Sequence, residues 1–95
     1  DVSVSEIAAG LTSLFDDIAL RARRDLQLSA IDELTLRASS GERYVIRPLA
    51  PSRTSYLYLV VQVPRNTAWR RNTNILVRRL NEELTSLMDA IDADE

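Results

Sequence analysis

Three pairs of neighbouring carboxylates are the first candidates for chemistry in this chain: Asp16/Asp17, Asp32/Glu33 and Glu82/Glu83. General acid–base work needs two carboxyls converging on one bond. Neighbours on a helix diverge by about 100°, so such pairs do not aim at a common point. They read as solvated polar positions. The rest of the catalytic alphabet is absent, for the chain holds no Cys and no His, and its twelve basic residues are all Arg. Thiolate nucleophiles, imidazole bases, His/Cys zinc sites, Schiff-base lysines and phosphate-loop lysines are excluded. The expectation is a non-enzyme with no catalytic, cofactor or metal residues.

Arginine is what remains. Twelve arginines against 14 acids leave a net charge of −2, which predicts no general attraction to nucleic acid or to anionic membranes. Arg21, Arg23 and Arg24 suit the closing turns of a helix, where the dipole favours cations. Arg70 and Arg71 fall in the opening turn of another, where positive charge is unfavourable. An acidic neighbour is therefore expected there, either the Asp32/Glu33 region or a partner surface. Trp69, the only Trp, reads as a core anchor. Tyr44, Tyr56 and Tyr58 predict an aromatic patch, with Tyr44 paired across a hairpin to Tyr56 or Tyr58.

These residues need elements to position them, and 95 residues make a single domain over 1–95. Val4, Ile7, Ala8, Leu11, Leu14, Phe15, Ile18, Ala22 and Leu26 recur at helical spacing and predict a helix over 3–28. Ser3 and Glu6 fit a capping box, and Gly10 suggests a close packing partner. "IDELTLRA" then alternates, with Leu34, Leu36 and Ala38 inward, and "RYVIRPL" returns after a turn at Gly41. Pro48 ends that ladder or lies at its margin. "APSRT" is a loop, and "SYLYLVVQV" (55–63) is the third strand. A second helix is expected from about Asn66 to 91, capped by Asn66 or Thr67. Its stripe is Trp69, Leu76, Val77, Leu80, Leu84, Leu87, Met88 and Ile91, with Arg78–Glu82 and Arg79–Glu83 pairs outside.

The fold class is thus α+β, a three-stranded antiparallel meander between two long helices. The third strand decides more than any motif. Leu57, Leu59, Val61 and Val63 line one face, and Tyr56, Tyr58, Val60 and Gln62 make the other nearly as apolar. A strand apolar on both faces needs cover on both, which the two helices supply. Its outer edge has no neighbour, and a long uncharged edge invites pairing with another chain. Tyr56, Tyr58, Val60 and Gln62 are accordingly the expected edge-strand and dimer contact.

The run "IDELTLRASSGERYVIRPLAPSRTSYLYLVVQVPRNTAWRRNTNILVRRLNEEL" resembles the C-terminal half of the Roadblock family, the dynein light-chain-like domains. The likeness lies in the Leu-rich strand before a glycine turn, the "YVIRPL" return, "YLYLVVQV", and a last helix entered through an Asn-containing turn. It covers nearly all of this chain but about two-thirds of a full family domain, whose first helix and two strands have no counterpart here. It implies a homodimer with a continued sheet and adjoining middle helices. It also implies a non-catalytic scaffold or regulator of Ras-like small GTPases or motor complexes. In the full domain, the strand matching 55–63 is interior, so its bare edge here departs from the pattern.

The outer side of the first helix, with Asp17, Leu20, Arg21 and Arg24, is the expected partner-binding surface. Leu20 lies off the stripe and would sit at the centre of a charged rim. A second reading is a small dimeric secretion or assembly chaperone that binds an extended segment by strand addition. A third is a fragment whose missing segment completes the sheet, since the chain opens on Asp. No signal peptide or membrane helix is expected, and the location follows as cytoplasmic.

Overall fold

The computed structural model describes residues 3–49 and 57–93. Its elements are α1 (Val4–Asp25), β1 (Leu34–Arg37), β2 (Arg43–Leu49), β3 (Leu57–Val63) and α2 (Arg70–Ala93), an α+β fold in the expected order. The strands form one antiparallel sheet in the order β1-β2-β3. The proposed loop 50–54, Ser55 and Tyr56 lie outside the described residues.

Register places Ile46 beside Leu34 and Val60, and Val45 beside Thr35 and Val61. Val45 and Ile46 point to opposite faces and both are 0% exposed, so the centre of β2 is buried on both sides. α1 lies on the Ile46 face, where its Phe15 ring meets Tyr58 of β3 at 5.3 Å. α2 lies on the Val45 face, where Asn74 accepts a hydrogen bond from Arg47 at 2.6 Å. One helix on each face explains why β2 lacks the wet side of a two-layer sheet, whereas β3 is covered mainly by α1 and stays largely half-buried, since α2 packs chiefly on β2.

α1 begins where its periodicity predicts, but its end and the start of α2 lie elsewhere. Ser3 does cap α1, accepting from the Glu6 N–H at 3.2 Å. The helix stops at Asp25 rather than 28 because Gln27 turns left-handed, φ +56°. The N–H groups of Leu26 and Leu28 both reach back to the Ala22 carbonyl. No glycine announces this stop, so an apolar Leu26 reads as one more helical turn. It is in fact 68% exposed. Val4 and Leu14 are exposed too, and Phe15 and Ala22 carry the buried line. Gly10 has nothing within 4 Å of a Cβ added there, so no close partner explains it.

At α2 the expected Asn66 or Thr67 cap fails. Asn66 takes φ +63° in the turn after β3, and the helix opens at Arg70, with the Trp69 carbonyl accepting from Thr73 N–H at 2.9 Å. Trp69 therefore precedes the helix and is half-buried rather than central to its stripe. The stripe itself is rotated: Thr73 and Val77 are buried, and Leu80, Asn81, Leu84 and Met88 are half-buried. Leu76, Leu87 and Ile91 are exposed. Among the described residues no ion pair joins Arg78 to Glu82 or Arg79 to Glu83.

Two strand details also differ. Tyr44 faces Leu36 and Gln62, whereas Tyr58 faces Pro48, so these tyrosines stand at opposite ends of one face and do not pair. Ala38 is exposed in the turn after β1. Pro48 sits inside β2, yet the β1 ladder has already ended at Ile46, so its missing N–H meets only the margin of the sheet. Gly41 takes φ +101°, the freedom the hairpin requires. Ile46→Ala should cost about 2–5 kcal/mol in urea unfolding, since the cavity opens under α1 at the best-packed point of the sheet. Leu26→Ala should stay within about 0.5 kcal/mol of wild type.

Candidate functional site

The unpaired long edge of β3 is the first candidate. β2 hydrogen-bonds one side of it, and among the described residues no strand occupies the other. Leu57–Val63 carries no charge, proline or bulge to blunt that edge. Leu57 is exposed, Leu59, Val60 and Val61 are half-buried, and Val63 is buried. Of the expected edge contacts, Tyr58, Val60 and Gln62 share the α1 face, Gln62 being exposed, and Tyr56 lies outside the described residues. Tyr58 is already engaged. Its ring tilts 60° against Phe15, and its hydroxyl donates to the Asp16 carboxylate. This contact fixes α1 over β3 and gives Asp16 a structural role.

The outer side of α1 is the second. Arg21 donates to Asp17 at 3.3 Å and Arg24 to Asp25 at 2.9 Å, all four side chains being more than half exposed. Such pairs contribute little to stability and leave a charged, adaptable surface. Leu20 is 62% exposed beside them. It also forms the lip of a cleft of about 860 Å³, shared with Phe15, Ile31, Pro48, Leu49 and Tyr58. That cleft is invisible in sequence, because the segment between α1 and β1 has no period from which to read a facing direction. The one available signal was an apolar Leu20 off the buried line.

The third feature ties the entry of β1 to the start of α2. Arg70 donates to both Glu33 oxygens, at 2.9 and 3.2 Å, and Thr35 donates to one of them at 3.1 Å. Arg47 lies 3.6 Å from the same carboxylate, and its guanidinium also reaches Asn74. Arg70 further stacks over Trp69, 4.4 Å from the ring centroid. The acidic neighbour expected for Arg70 is therefore Glu33. Arg47 was not foreseen in this role, since a strand arginine normally reads as a solvent-facing position. Partial burial pushes the Glu33 carboxyl up, but the hydrogen bonds from Arg70 and Thr35 and the charges of Arg70 and Arg47 outweigh it. The net position is below the ordinary glutamate value of 4.5. A carboxylate saturated with donors and held ionised is a poor proton acceptor, so the cluster is a clamp.

The sign of that shift makes the clamp testable. A depressed carboxyl contributes stability above its unfolded value and loses it as pH falls through the folded one. Glu33→Gln should therefore cost about 1 kcal/mol at neutral pH. The difference from wild type should shrink as pH drops through and below the ordinary glutamate range. Urea unfolding of both proteins across that range measures it, and a pH-independent gap would exclude the charge pairing as its source.

Comparison with protein-family models, with curated proteins and with solved structures returns no match for this chain.

Proposed function

We propose that this chain is a non-catalytic, homodimeric interaction module of Roadblock-like character, an adaptor or regulator of a Ras-like small GTPase or of a motor or motility complex. The observation that carries the reading is the bare, uncharged β3 edge, apolar on both faces. Two further quantities support it. The chain exposes 7319 Å², against roughly 5500 Å² for an ordinary monomer of this mass. Its radius of gyration is 15.1 Å, against about 12 Å for a compact chain of this length.

The position of α2 favours a particular arrangement. Arg70 and Asn74 of α2 reach Glu33 and Arg47, toward the β1 side. Leu76, Leu80 and Leu87 lie about 120–160° around the helix from Asn74, hence on the flank toward β3. A two-fold axis normal to the sheet beside β3 would set two β3 edges antiparallel and bring these flanks together on one face. The start of α2 carries Arg70, Arg71, Arg78 and Arg79, and the described turns that follow carry Glu82, Glu83 and Asp89. Antiparallel helices thus oppose unlike charges, whereas parallel ones would oppose like. α1 lies over β3 through Tyr58, so its outer face would be repeated beside the same axis. Asp17, Leu20, Arg21 and Arg24 then form the partner surface, with an apolar centre and a charged rim.

Light scattering coupled to size exclusion should find a dimer at micromolar concentration. Because the chain has no native Cys, single-cysteine variants report the contact directly. Leu76→Cys or Leu80→Cys should cross-link under oxidation, whereas Arg78→Cys, about 160° around the helix from both, should not. A monomer removes the dimer reading altogether, and a dimer cross-linked through the Arg78→Cys variant removes this arrangement.

The partner surface has its own test. Leu20→Glu with Arg24→Glu should keep helicity and dimer mass but lose the partner recovered by wild type, with affinity down more than about tenfold. Recovery of a folded GTPase with nucleotide-state preference supports the adaptor reading. Recovery of an unfolded segment without it supports a secretion or assembly chaperone, for which the same β3 edge offers strand addition.

A further inference from the structure

Two chain reversals meet at the end of the sheet where β2 begins: the β1–β2 hairpin over 38–42, and the turn from β3 toward α2. Together they enclose a pocket of about 470 Å³ lined by Arg37, Arg43 and Arg65 with Ser39, Ser40 and Thr67. No acidic side chain lines it. Among the described residues none of these three arginines is in an ion pair, in contrast to Arg21, Arg24, Arg47 and Arg70. In a chain of net charge −2, this is a local concentration of uncompensated positive charge.

The arginines are placed by specific devices. Arg43 Nη2 donates to the carbonyls of Pro64 at 3.1 Å and Thr67 at 2.8 Å. That pins its guanidinium across the base of the pocket, and its Nε is buried with no partner. The stem of Arg65 lies against Gly41, its Cγ only 2.8 Å from where a Cβ would stand. Gly41 at φ +101° and Asn66 at φ +63° supply the two left-handed bends that bring the reversals this close. Three guanidinium groups gathered without carboxylates repel one another until an anion joins them. Planar N–H forks with nearby hydroxyls match the oxygens of a phosphate group.

We infer that this pocket is an oxyanion site that takes a phosphate group, free or carried as a monoester on a larger molecule. Arg65 and Arg37 bind the oxygens, Arg43 holds the floor, and Ser39, Ser40 and Thr67 complete the donor set. The site is independent of the β3 edge and of dimerisation.

Titration of the full chain with inorganic phosphate and with N-acetyl-O-phosphoserine amide, at constant ionic strength, tests this by amide NMR. Saturable shifts should centre on Ser39, Ser40, Gly41, Arg65 and Thr67. Arg37→Ala and Arg65→Ala should each weaken binding roughly tenfold, the loss of one charge-assisted contact. Both side chains are exposed, so unfolding curves should match wild type. Equal affinity for the two probes identifies free phosphate as the ligand, and tighter binding of the phosphoserine derivative identifies a carried one. Shifts that fail to saturate, that chloride reproduces, or that persist undiminished in both variants overturn the proposal.

Discussion

Val45 and Ile46 stand side by side in β2 and point in opposite directions, and both are withdrawn from water. Everything else in the chain answers to that constraint. A three-stranded sheet buried on both sides at its centre needs a layer on each, and the described residues supply two helices for the purpose. Each is therefore committed to one face, and neither is left to close an edge. The bare side of β3 follows directly from placing α1 and α2 on opposite faces.

The same division explains how the polar residues are used. On the α2 face, Arg47 stands in a strand where a hydrophobic residue would ordinarily go. It is tolerated because Glu33 and Asn74 receive its guanidinium. The lowered Glu33 carboxyl and the bidentate Arg70 contact join the start of β1 to the start of α2. On the α1 face, Tyr58 does the corresponding work through Phe15 and Asp16. Polar ties thus anchor each helix near one margin of its contact. The flank of α2 bearing Leu76 and Leu87 and the outer side of α1 stay open.

The ends of the sheet differ as well. At one end the hairpin and the turn after β3 fold tightly together through Gly41 and Asn66, collecting arginines without carboxylates. At the other, Leu49, Pro48 and Tyr58 open into a largely apolar cleft with Leu20 at its lip and Asp16, Arg23 and Asp32 on its walls. One end is thus suited to a compact anion and the other to apolar contact. The uncharged edge between them is suited to backbone pairing.

Amino-acid order alone determined the elements and their sequence: helix, meander, helix, with β3 apolar on both faces and, among the described residues, unpaired along its outer edge. Those properties follow from local periodicity, since a period of two or of 3.6 residues is legible without knowing what lies across the fold. The turn at Gly41 was legible for the same reason. The Roadblock resemblance added an expected assembly that no comparison supports. Tertiary structure alone decided which part of each stripe is buried. Leu26 and Ile91 have helical spacing, yet both are exposed, Leu26 because α1 has already ended at Asp25. It also decided where α1 and α2 stop and start, because Gln27 and Asn66 adopt left-handed conformations that their side chains do not demand. The Glu33 clamp, the Leu20 cleft and the arginine pocket each join residues from distant segments, and such proximity depends on register and chain reversal.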